Sequence, residues 1–83
     1  MVIRTHNNVL IPISAINGIL IREDSNAKLK WSIVASLNES SCFTCLCRYP
    51  TEEEARGVFE ALFEAIDNGC NTFVFTKHRN VLN

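Results

Sequence analysis

The run Lys28-Leu29-Lys30-Trp31-Ser32-Ile33-Val34-Ala35-Ser36-Leu37 decides the fold, because its apolar and polar side chains alternate over ten positions. Leu29, Trp31, Ile33, Ala35 and Leu37 take one parity and Lys28, Lys30, Ser32, Val34 and Ser36 the other, the period-2 signature of a half-buried strand. Asn38-Glu39-Ser40-Ser41 supplies turn residues, and Cys42-Phe43-Thr44-Cys45-Leu46-Cys47-Arg48-Tyr49 returns as a second strand. An odd-length loop pairs Trp31 with Tyr49, Ile33 with Cys47, Ala35 with Cys45 and Leu37 with Phe43, joining two apolar faces. An even-length loop sets Arg48 beside Trp31 on the core side, so burial predicts the odd one.

Working outward, Pro50-Thr51-Glu52-Glu53-Glu54 is a helix start: Thr51 caps the amide of Glu54, and the carboxylates favour the positive end of the helix dipole. Ala55, Val58, Phe59, Leu62 and Ile66 recur on one helical face and Asn68-Gly69 stops the run, predicting a helix over about 52–68. Alternation of Phe73 and Phe75 predicts a final strand over about 72–76. Upstream, Val2–Thr5 and Val9–Ile13 flank the turn residues His6-Asn7-Asn8, and Pro12 confines its strand to an edge or a break in pairing. Ser14–Asn17 reads as a kink or single turn before the strand Gly18-Ile19-Leu20-Ile21-Arg22. The predicted class is α+β: an antiparallel sheet of about five strands, one helix across a face, and a C-terminal strand, all in one domain.

Composition narrows the function. The 83 residues carry a net charge of −1 and 47% apolar residues, which fits a packed globule and gives no global field toward phosphate or anionic lipid. No stretch approaches the length of a membrane span, and Met1–His6 lacks the apolar run of a signal peptide, so the expected location is the cytoplasm. There Cys42, Cys45, Cys47 and Cys70 are expected as thiols. Three of them crowd into "CFTCLC", yet strand alternation puts Cys42 and Cys45 on opposite faces and removes the meaning of their CxxC spacing. Cys45 and Cys47 share the face of Phe43 and Tyr49 and read as small core residues. Cys70 reads as the apolar contact that closes a glycine-capped helix.

No catalytic residues are assigned: Cys42, Cys45 and Cys47 precede the helix start, and His6 and His78 read as solvated residues near the two ends of the chain. No cofactor or metal is assigned either. Lys77-His78-Arg79 makes only a small basic footprint, which argues against nucleic acid. What remains is an apolar stripe on the sheet face away from the helix, formed by Leu20, Val34, Leu46 and Val74 and rimmed by hydroxyl residues, with Phe63 exposed at the helix edge. These five residues are the candidate interface.

The segments "IPISAINGILI", "WSIVASL" and "YPTEEEARGVFEALFEAI", spread over Ile11–Asn68, resemble small uncharacterised proteins of bacteria and their phages, in which a β-meander precedes one amphipathic helix in the manner of a pleckstrin-homology-like half-domain. The cysteine-rich strand and Phe73-Val74-Phe75 depart from that pattern. The resemblance implies a fold and no catalytic residues. Three classes of function follow. The preferred one is a non-enzymatic interaction module that binds a protein partner or a second copy of itself through the open sheet face or an edge strand. The alternatives are a thiolate metal-binding or redox-responsive protein using Cys42, Cys45, Cys47 and Cys70, and a nucleic-acid-binding accessory.

Overall fold

The central hairpin pairs Trp31 with Tyr49, Ser32 with Arg48 and Ile33 with Cys47, as burial of the two apolar faces requires. These elements belong to a computed structural model that describes residues 1–25, 28–38 and 42–75. The chain runs β1 (Val2–Arg4), β2 (Leu10–Pro12), a single 3-10 turn (Ile13–Ala15), β3 (Ile16–Glu23), β4 (Trp31–Leu37), β5 (Phe43–Tyr49), α1 (Glu52–Asp67) and β6 (Thr72–Val74). The class is α+β, with five strands before the helix and one after it. Those strands divide into two sheets of three, a large one ordered β3-β4-β5 and a small one ordered β2-β1-β6.

Beyond Ile33 the hairpin register slips by one residue: Val34 faces Cys45, Ala35 faces Thr44 and Ser36 faces Phe43. The loop is therefore even in length, not odd, and a β-bulge reconciles the two halves. Leu46 is the extra residue. At such a bulge two successive side chains oppose one on the neighbouring strand, so the alternation behind the predicted faces fails here. Leu46 joins Cys47 in the core with none of its surface exposed, instead of lying on the outer face. Full burial of a leucine contributes about 1.5–3 kcal/mol, a gain that strict alternation would forfeit.

The small sheet starts from the β1–β2 hairpin, in which Ile3 faces Ile11. Its turn is held by Thr5, whose Oγ accepts from the amides of Asn7 (3.3 Å) and Val9 (3.1 Å), while Asn8 takes the left-handed φ of 66° that asparagine tolerates. Pro12 ends the edge strand β2, where its missing N–H leaves no ladder bond unmade. On the other side β6 lies parallel to β1, and Val74 stands beside Arg4. Val74 therefore belongs to a different sheet from Leu20, Val34 and Leu46. Phe73 and Phe75 project to one side and meet edge to face, with ring centroids 5.0 Å apart.

The α1 start is the one read from sequence: Thr51 Oγ accepts from the Glu54 amide at 3.3 Å. Its end is a Schellman closure, in which Cys70 N–H donates to Ala65 O (3.0 Å) and Gly69 N–H to Ile66 O (3.1 Å), with Gly69 at φ 72°. The helix packs on the large sheet through Ala55 and Leu62, over Ile33, Ala35 and Cys47, and Ile3 and Ile11 of the small sheet, with Phe75 just past β6, complete the same core.

Because Leu46 is enclosed, Leu46→Ala should cost about 2–5 kcal/mol in urea unfolding. Leu20→Ala, at a position 40% exposed, should cost well under half as much. Equal losses would place Leu46 on the surface and remove the bulge.

Candidate functional site

The five predicted interface residues do not form one surface. Leu20, Val74 and Phe63 are exposed at 40%, 49% and 62%, but Val34 and Leu46 are fully buried. Leu46 was turned inward by the bulge. Val34 does lie on the outer face, flanked across the ladder by Leu20 and Cys45, and its neighbour Ser32 is flanked by Arg22 and Arg48. Two arginines project from this face. Arg22 lies 5.9 Å from the centre of the Phe43 ring, and Arg48 reaches Asp24 at 3.6 Å and the Leu29 carbonyl at 3.4 Å. On this face Leu20 and Phe43 stay 40% and 46% exposed while Val34 between the strands is fully buried, so the predicted residues do not form a continuous open stripe.

The bulge also separates the cysteines. Cys47 is buried in the core as expected, whereas Cys45 is half-buried on the outer face, opposite Val34. Burial raises the Cys45 thiol above its ordinary range, an effect that nearby Arg48 and Arg22 only partly offset. That is the opposite of an activated nucleophile. Cys42 is exposed, and so is Cys70, whose backbone rather than its side chain closes the helix. Among the described residues no three His, Cys, Asp or Glu side chains converge as a metal site. Lys77, His78 and Arg79 lie outside the described residues.

His6 is not a solvated end residue. Its backbone N–H donates to Leu46 O at 3.0 Å and its Nδ1 lies 2.8 Å from the same oxygen. A carbonyl only accepts, so Nδ1 carries the hydrogen. One bulge carbonyl thus anchors the turn of the small sheet to β5. Nothing local in the sequence signals this contact, which spans forty positions.

The feature with the character of a binding site lies at the other edge of the large sheet. There β3 is the outermost strand, and α1 runs back along it, from the end near Glu23 toward Ile13 and Ile16. Between them is an apolar groove of about 250 Å³, walled by Ile13, Ile16 and Ile19 on one side and Phe59, Phe63 and Ile66 on the other. It falls below the 300–1,000 Å³ typical of small-molecule pockets and matches a few inserted side chains better. Gly18 sits where the β3 register shifts, with nothing within 4 Å of the place where a side chain would begin.

Of these residues only Phe63 was singled out from sequence. A usable signal was present: β3 carries no charged side chain from Ile16 to Ile21, and a strand edge without charge or proline lacks the usual protection against pairing. Among the described residues, no helix is long and apolar enough to cross a membrane. Comparison with protein-family models, curated proteins and solved structures finds no match to the chain.

Tyr49 provides a pH test of the core beneath the helix. Burial pushes its phenol far above the ordinary range, and a hydrogen bond with Cys47 adds to the shift. In the unfolded chain the phenol ionises near its usual value of about 10, so above that pH the unfolded state binds fewer protons and stability falls as pH rises. Urea midpoints should therefore drop between about pH 9.5 and about pH 11, and Tyr49→Phe should flatten that drop. An unchanged slope in that variant would show that the phenol is not held neutral by burial.

Proposed function

We propose that the protein is a small non-enzymatic interaction module of the cytoplasm, which binds a protein partner or a second copy of itself through the β3 edge and the groove beside it. The observation that carries this reading is the coincidence of an outermost strand with an apolar groove flanked by Phe63 and Ile66, which are 62% and 43% exposed. An added strand would gain main-chain hydrogen bonds from β3, while its alternate side chains enter the groove and supply selectivity. The outer face of the large sheet supports binding less well, because Val34 at its centre is fully buried.

Selection of extended peptides from a random library, followed by NMR titration of the isotopically labelled protein, tests the site. Bound peptides should move the amides of Gly18, Ile19 and Phe63, and Phe63→Ser should weaken them by about tenfold, the loss of one well-packed aromatic anchor. Shifts confined to the Leu20–Phe43 face, or no selected binder together with a monomer at all concentrations, would sink the reading.

A further inference from the structure

The groove has one charged wall and one uncharged wall. Helix α1 carries six carboxylates against a single arginine, and that arginine is already paired with Glu52 at 2.8 Å. Glu60 and Asp67 stand three residues before and four residues after Phe63, so both lie alongside it on the helix surface, and both are exposed. No ion pair among the described residues reaches either of them. Across the groove β3 is free of charge from Ile16 to Ile21. An apolar trough with a negative rim on the helix side results.

We infer that the groove takes an extended segment of a partner protein in which an apolar side chain is flanked, two positions away on each side, by lysine or arginine. The inference rests on the proposed binding role and adds the chemistry of the ligand. Spacing supports it. Seven helical positions separate Glu60 from Asp67, a rise of roughly 10 Å. Residues four apart on an added strand are separated by roughly 13 Å, within reach of flexible basic side chains, and they project to the same side as the residue between them. That central residue points into the groove beside Phe63.

A second copy fits less well. Antiparallel pairing of β3 with its own copy about a two-fold axis would set both helices on one side of the joined sheet and bring the two acidic rims together. Like charges so placed oppose association. The whole-chain charge of −1 conceals this local field.

The test is an NMR titration of the intact protein with three acetylated and amidated peptides. They are Thr-Lys-Thr-Ile-Thr-Lys-Thr and its counterparts with serine or glutamate in place of both lysines. The lysine peptide should move the groove amides and bind about fivefold tighter than the serine peptide, the worth of two exposed ion pairs. The glutamate peptide should bind weakest. The preference should fade in about 0.5 M salt, where charges are screened within a few ångströms. The double variant Glu60→Gln/Asp67→Asn should bind the lysine and serine peptides alike, with an unchanged circular dichroism spectrum. Equal binding of all three peptides to the groove of the unaltered protein would overturn the basic-ligand inference and leave the binding role intact. Absence of groove shifts with every peptide would overturn both, and concentration-dependent groove shifts without peptide would assign the site to a second copy.

Discussion

The carbonyl of Leu46 holds the two halves of the molecule together. It accepts from the backbone N–H of His6 and from the imidazole Nδ1, while the side chain of the same residue fills the core. In an unbulged ladder the Leu46 side chain would sit on the outer face, away from α1. The extra residue moves the side chain inward, and its carbonyl accepts from the turn after β1. The small sheet meets β5 at this point without extending its ladder.

That junction also decides which edge of the large sheet remains available. A three-stranded sheet has two edges, and an exposed edge invites pairing with another chain. His6 and the β1–β2 turn lie against β5. At β3 the equivalent groups face outward beside a groove that α1 only partly fills, so the candidate site lies across the sheet from the bulge. The helix contributes to the imbalance: its buried contacts run through Ala55 and Leu62, and Phe63, turned toward β3, is left 62% exposed.

Local chemistry and long-range pairing differ in how far the sequence reveals them. The helix was legible to within a residue because its limits are set by short-range groups: Thr51 on Glu54, the first-turn carboxylates and the left-handed Gly69. The turn at His6–Asn8 and the edge position of Pro12 were legible for the same reason. The bulge was not. Phe43–Tyr49 contains no glycine to mark a break, and its alternation reads as one unbroken strand until the burial of Leu46 is weighed against that of Cys45. The parallel pairing of β6 with β1 was hidden too, since nothing near Phe73 refers to Ile3. Of the predicted interface residues, Phe63 is exposed as its helical position implies, whereas the bulge turns Leu46 inward, Val34 is buried, and Val74 belongs to the other sheet.

Net charge misleads in a comparable way. A total of −1 removes any reason for long-range attraction, yet the charge is unevenly placed, with six carboxylates against Arg56 on the helix, and Arg4, Arg22, Lys28, Lys30 and Arg48 against Glu23 and Asp24 on the described strands and loops. Screening limits a surface charge to about 8 Å at physiological ionic strength, close to the distance between neighbouring packed elements. A ligand in the β3 groove therefore experiences the carboxylates of α1 much more than the arginines on the far side of the sheet. The relevant charge belongs to the wall of the site rather than to the chain, and it becomes visible only once topology places α1 beside β3.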